Sequence, residues 1–240
     1  MDRMLQLGVF AAAAGMASTA AADLVKVADS IEDFSAVQTQ NNWTYGWYHG
    51  DDVGLSGATG SLQTSNFQEL EFHDAEQGWW THDSVSASQG QEGSPYFLTV
   101  ITSEFMHANA PIPGGLIAEE SRWASRRWTS SVGGEVQVTG QIAKVDQGTP
   151  LGDGIDAYVL VDGEIAFYYD VAPDDHAGTT FDLTLDVSEG SVIEFVVGGR
   201  ESGLNDAVLF TSEIMGDVVP APGSVALIGM GGMLIGRRRR

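Results

Sequence analysis

Apolar and polar residues alternate over much of this chain. Phe181, Leu183, Leu185 and Val187 are separated by Asp182, Thr184, Asp186 and Ser188, which predicts a strand with one dry and one wet face. Val136, Val138 and Ile142 share a face of a strand expected over 135–145. Residues 158–161 and 165–169 flank Asp162-Gly163-Glu164. Asp-Gly between β-rich runs predicts a hairpin, because glycine accepts positive φ. The nearly continuous apolar run 192–197 predicts a strand covered on both faces, and 207–214 predicts a closing strand. In the first half, 69–72 and 96–105 are expected as strands, and 41–50 is a Trp/Tyr-rich run between polar turn residues. Residues 83–93 form a Ser/Gln/Gly loop, and Pro111 to Gly115 break regular structure. No segment between 23 and 215 sustains a helical period. Strands at intervals of about a dozen residues predict an all-β fold, a single β-sandwich of jelly-roll or Greek-key type.

Composition sharpens this picture. Glycine supplies 30 of 240 residues, as in turn-rich β proteins. A core is available, since 43% of residues are apolar and six are tryptophan. The 33 acidic and 11 basic residues give a formal charge of −22, which repels nucleic acid and anionic lipid. There is no cysteine, so disulfides and thiol catalysis are excluded and the fold rests on its core or on bound metal.

Catalytic signatures are missing. The chain has no His-Glu-x-x-His, Gly-x-Ser-x-Gly or phosphate loop. Its histidines, His49, His73, His82, His107 and His176, lack the close spacing of a zinc clasp. No catalytic residue is assigned, and the expectation is a protein that is not an enzyme. Calcium, which takes six to eight oxygens, often from loops, is the candidate metal. Asp153, Asp156, Asn205 and Asp206 offer oxygens from two turns that a sandwich can bring together; the same residues also serve as ordinary turn formers. Trp43, Trp47, Tyr48, Trp79 and Trp80 lie among polar residues. They are candidates for stacking on sugar rings, with core packing as the alternative. Adjacent in a strand, Trp79 and Trp80 face opposite ways. Trp123 and Trp128 are expected in the core, and Arg126 or Arg127 is expected to pair with a carboxylate across the sheet.

The two ends differ from the body. Arg3, the apolar run 7–16 and Ala20-Ala21-Ala22 have the layout of a secretory signal peptide cut after Ala22. At the other end, Pro220-Ala221-Pro222-Gly223 precedes an uncharged run, 224–236, and then Arg237, Arg238, Arg239 and Arg240. The run is shorter than the roughly 20 residues of a stable span, and the arginines would stay on the cytoplasmic side. This predicts a short hydrophobic helix held transiently or lastingly in the inner membrane. The expected organisation is a signal peptide over 1–22, a β-sandwich domain over 23–218 and a tail over 219–240.

The tail resembles the PEP-CTERM sorting signal of Gram-negative bacteria that make extracellular polysaccharide, also known as the ice-binding protein C-terminal domain. It has Pro-Ala-Pro where that family has Pro-Glu-Pro. The resemblance implies processing by an exosortase-type enzyme, with the tail discarded, and a place at the cell surface or in the extracellular matrix. It implies no ice binding. The body resembles lectin-like or carbohydrate-binding jelly rolls of exported bacterial proteins. The likeness rests on Arg126-Arg127-Trp128-Thr129-Ser130, the strand 134–140, Gly152-Asp153-Gly154, Val161-Asp162-Gly163, Phe181-Asp182-Leu183 and Asn205-Asp206. It implies extracellular polysaccharide as a partner. The expectation is an exported, non-catalytic surface or matrix protein that binds polysaccharide. A purely structural surface protein and a polysaccharide-degrading enzyme of lectin-like fold are the alternatives.

Overall fold

The computed structural model describes residues 24–75, 78–80, 99–110, 121–145, 152–201 and 206–217. The expected signal peptide, the expected hinge and hydrophobic helix of the tail, the expected 83–93 loop and the expected break at 111–115 lie outside these residues. Among the described residues no helix is long and apolar enough to cross a membrane.

Among the described residues sixteen strands follow one another: β1 (Val25–Asp29), β2 (Trp43–His49), β3 (Leu55–Ser56), β4 (Thr59–Gly60), β5 (Gln68–Glu69), β6 (Phe72–Asp74), β7 (Gly78–Trp80), β8 (Val100–Ile101), β9 (Phe105–His107), β10 (Arg122–Thr129), β11 (Gly134–Lys144), β12 (Ile155–Val161), β13 (Glu164–Val171), β14 (Thr179–Val187), β15 (Val192–Gly199) and β16 (Ala207–Gly216). The larger sheet runs β14-β11-β16-β9-β8-β7-β6, with β1 also on β16; the smaller runs β13-β12-β15-β10-β2-β5. Strands β9 to β16 are therefore an eight-stranded jelly roll of two four-stranded sheets. Strands β6–β8 extend one sheet, and β2 and β5 extend the other.

The patterns of the sequence become these strands for plain reasons. In β14, Phe181 and Val187 are buried, Leu183 and Leu185 are half-buried, and the residues between them are exposed. The β12–β13 hairpin turns at Asp162 (φ 51°) and Gly163 (φ 88°), the two positive dihedrals a tight primed turn requires. Strand β15 is buried from Ile193 to Gly199. One face of it joins the main core, where Trp43, Trp128, Phe195, Phe210, Val138 and Ile142 meet. Its other face joins a second core of Tyr48, Leu55, Leu62, Trp123, Tyr158, Leu160 and Val196, formed where the excursion carrying β3 and β4 folds over the outside of the smaller sheet.

Two strand expectations are corrected. The 69–72 run is not one strand: β5 lies in the smaller sheet and β6 in the larger, so the chain crosses between them there. Within 96–105, the described part bends at Thr102, whose Oγ1 accepts from the Phe105 N–H at 2.9 Å. It becomes the β8–β9 hairpin because Thr102-Ser103-Glu104 offers turn chemistry in place of apolar alternation.

Strand β10 carries two consecutive arginines back to back, Arg126 buried and Arg127 half-buried. Arg126 faces the main core and is 1% exposed. Its Nη1 donates to the Phe210 carbonyl at 3.2 Å and its Nη2 to the Thr102 carbonyl at 2.6 Å, tying the smaller sheet to the larger. Burial lowers its pKa to about 10, against the pull of Tyr45 and Asp29. Arg127 faces the second core. It opposes Glu194 in register, and its Nε donates to Glu194 Oε1 at 3.0 Å, the cross-sheet ion pair expected of this dipeptide. Tyr48 Oη (2.6 Å) and Ser125 Oγ (3.2 Å) donate to the same carboxylate oxygen. Arg127 also donates to the Thr64 carbonyl at 3.0 Å and lies over the Phe67 ring, which pins the covering excursion.

Burial raises the phenols: Tyr45 to about 12, Tyr168 to about 12 with help from its Asp156 hydrogen bond, and Tyr48 and Tyr158 further still. A phenol raised in the folded state stabilises the fold fully below its unfolded pKa of about 10. That contribution is lost as pH climbs through the folded value. Stability is therefore expected to fall above about pH 10. In a spectrophotometric titration the Tyr45 and Tyr48 phenolates should appear only together with loss of the β-sheet circular dichroism signal. Six phenols ionising reversibly near pH 10 with the sheets intact would contradict this packing.

Candidate aromatic binding face

The extension β6–β9 of the larger sheet sorts its side chains by parity. Trp79, Ile101, Met106 and Val208 fall into the main core. Their neighbours lie on the opposite face of the sheet. Phe72 is paired with Trp80, Trp80 with Val100, Val100 with His107 and His107 with Ala207, and residues directly opposite in an antiparallel ladder share a face. The result is a row across five strands. Phe72 and Trp80 stack with centroids 4.7 Å apart and planes 26° from parallel. Phe72 is 36% exposed and Phe105, opposite Leu209 on the same face, is 38% exposed. Such rings cost free energy to leave in water and offer flat apolar surface to a ligand.

The structure divides the aromatic candidates. Trp80 belongs to the outward row. Trp43 and Tyr48 are fully buried, Trp43 against Phe195 and Tyr48 against Phe67. Trp47 is 8% exposed beneath the Arg122 guanidinium, 4.5 Å from its ring centroid. Trp79 stacks on Tyr45, and its Nε1 donates to the Ser35 carbonyl at 2.7 Å. These four are packing residues, because no ring face is left for a sugar. The polar residues around them in sequence misled the expectation: in β2, Thr44 is itself buried, so alternation says little. Phe72 and Phe105 escaped the sequence analysis. Only pairing with Trp80 across a hairpin, invisible in one dimension, marks Phe72.

The acidic turns do converge, but around the chain's own cations. Arg200 Nη1 donates to the Asp153 carbonyl at 3.0 Å and Nη2 to Asp156 Oδ1 at 2.9 Å, and Nη2 also donates to Asp170. Tyr168 Oη donates to the same Asp156 oxygen at 2.9 Å. Burial works to lower the Arg200 pKa, and the Asp170 and Asp156 hydrogen bonds outweigh it and raise it. Asp206 is fully buried beyond, within the field of Lys144, Asp153 and Arg200. Asn205 lies outside the described residues. Among the described residues no three His, Asp or Glu side chains are grouped to hold a metal ion. The expected calcium position is thus taken by Arg200, whose guanidinium neutralises Asp156 and Asp170, carboxylates that a metal would otherwise need to hold together.

No family model matches the chain, and no curated protein matches it. Among solved structures it is similar to rabbit GITRL, at 14% identity and a TM-score of 0.29 over 41% of this chain and 75% of that one. It is similar to a family 35 carbohydrate-binding module from Clostridium thermocellum, at 9% identity and a TM-score of 0.27, covering 46% and 87%. It is also similar to the CBM22-1 xylan-binding domain of Paenibacillus barcinonensis Xyn10C, at 8% identity and a TM-score of 0.27, covering 48% and 85%.

The occupancy of the acidic turns by Arg200 sets an expected outcome. The melting temperature should be the same in a chelator as in millimolar calcium. A rise of several degrees with calcium would show that the acidic turns take the metal after all.

Proposed function

We propose that this chain is an exported, non-catalytic surface or matrix protein that binds extracellular polysaccharide on the outer face of β6–β9. The observation that carries this is the Phe72–Trp80 stack, a flat aromatic pair set on a rigid sheet with Phe105 nearby. Pyranose rings have an apolar face that packs on such platforms, and a stiff sheet holds the platform without an ordering cost. The charge of −22 disfavours polyuronate strands by repulsion and favours neutral glycans. The two termini are proposed as export labels: a signal peptide ending at Ala22, and a PEP-CTERM-like tail handled by an exosortase-type enzyme around Pro220-Ala221-Pro222.

The glycan reading is tested by calorimetry or a glycan array with neutral and acidic polysaccharides. Binding to a neutral polysaccharide is expected. Phe72→Ala and Trp80→Ala should each weaken it roughly thirtyfold, as loss of an aromatic anchor worth about 2 kcal/mol does. Phe72→Ala should leave the fold intact, because its ring is partly in water. Silence of the parent protein across both glycan classes would refute the reading and leave a purely structural role. Release of soluble sugar, lost on replacing one carboxylate, would make it an enzyme.

The export reading has its own test. Material from the native host should begin at Asp23 and lack the terminal arginines by mass spectrometry. Intact Met1-to-Arg240 chains in the cytosol would end that part of the proposal.

A further inference from the structure

At one end of the sandwich the space between the sheets is not apolar. Lys144 ends β11 on the inward side of Ile142, opposite the buried Val208. Asp206 precedes β16 on the inward side of Val208 and Phe210 and is 0% exposed, while Lys144 is 6% exposed. The Asp206 carboxylate crosses to the other sheet. A Cβ added to Gly199 of β15 would lie 2.7 Å from its Oδ2 and 3.0 Å from the Ala110 side chain, so glycine is what leaves it room. Asp153 enters the same region just ahead of β12. Lys144 Nζ, both Asp206 carboxylate oxygens and Asp153 Oδ1 are all buried without a hydrogen-bond partner. Buried polar atoms are nearly always partnered, so four such atoms gathered in one place call for an explanation.

These groups sense one another. Burial lowers the Lys144 amine, against the pull of Asp206 and Asp153. Burial raises the Asp206 carboxyl to about 8; Lys144 opposes this and Asp153 adds to it. Removal from water disfavours the charged form of both groups, and an uncharged amine and an uncharged acid are the forms that condense to an amide. The chain has no cysteine with which to cross-link its strands.

We propose that Lys144 and Asp206 condense into an intramolecular amide that joins β11 to β16, with Asp153 carrying the proton. The Lys144 Nζ lone pair attacks Asp206 Cγ. Asp153 takes a proton from the nitrogen and returns one to the departing hydroxyl. The Cγ–O bond breaks, the Cγ–N bond remains and one water leaves; nothing is oxidised or reduced. The lysine must swing to reach Cγ, since no hydrogen bond joins the two side chains in this structure. Its flexible four-carbon stem permits that. The product exchanges two buried ionisable groups for a neutral N–H and C=O, and Asp153 Oδ1 is an acceptor for that N–H. It would also restrict the unfolded chain as a disulfide does.

The test is the intact mass of the folded full-length protein, with both ends read by peptide sequencing. The mass is expected to fall short of the sequence mass by one water. Proteolysis should yield one branched peptide containing Lys144 and Asp206. An undiminished mass in the folded protein overturns the proposal, whatever the variants do. Lys144→Arg should keep its full sequence mass, and a water loss that survives this change would overturn the assignment. Asp206→Asn should reach the same final mass as the parent, because it expels ammonia where the parent expels water. Asp153→Ala should slow appearance of the branched form roughly a hundredfold with the sheet signal unchanged. An unaltered rate would remove Asp153 from the scheme.

Discussion

Two-sided burial of the smaller sheet is the constraint on which the rest of the structure depends. Strands β10 and β15 have no wet face: one side meets the main core and the other meets the covering excursion. Two consecutive arginines in β10 therefore cannot both escape, because successive side chains point opposite ways. A buried charge without partners is strongly destabilising, so each needs its own solution. Arg126 takes backbone carbonyls of the facing sheet, and Arg127 takes Glu194 across the ladder. A slip of one residue would exchange them and break both sets of contacts. The pair thus fixes strand register, the seating of one sheet on the other and the docking of the excursion in a single dipeptide.

The same constraint consumes most of the aromatic residues. Trp43, Trp47 and Tyr48 sit on β2, beside β10, and are packed on both faces of the smaller sheet. Partly exposed rings survive where the larger sheet runs past the jelly roll. There β6–β9 have one face on the core, and the other carries Phe72 and Phe105, each more than a third exposed, with Trp80 stacked on Phe72. A platform on the extension leaves the packing of the central barrel undisturbed, which is why the binding proposal and the stability of the fold rest on different residues.

Polar groups in this chain are handled in two different ways. Around Glu194 the donors are in place, and Oε1 accepts from three side chains. At the other site, Lys144 Nζ, both Asp206 carboxylate oxygens and Asp153 Oδ1 lie buried and unpartnered. The first arrangement ties β2, β10 and β15 together through one carboxylate oxygen, with Glu194 Oε2 left buried and unpartnered. The second has the composition of reactants held away from water, in a chain that has no thiol for cross-linking.

The hydrophobic and polar pattern alone determined the class of fold, most strands of the second half, the Asp162-Gly163 turn and the double burial of β15. These depend on spacing along one strand or one turn, and period-two alternation or a positive φ is a local property. It also located the Arg127 pairing in kind, though not its partner. The tertiary structure decided what is non-local. It assigned β5 and β6 to different sheets, turned the β8–β9 segment back on itself, set Phe72 beside Trp80 and placed Arg200 among the acidic turns. It also removed four of five candidate aromatic rings from reach. Burial of an aromatic ring depends on what packs over it: the facing sheet covers Trp43, and residues 50–67, pinned by Arg127 at Thr64 and Phe67, cover Tyr48. No window of sequence around Trp43 or Tyr48 contains that information.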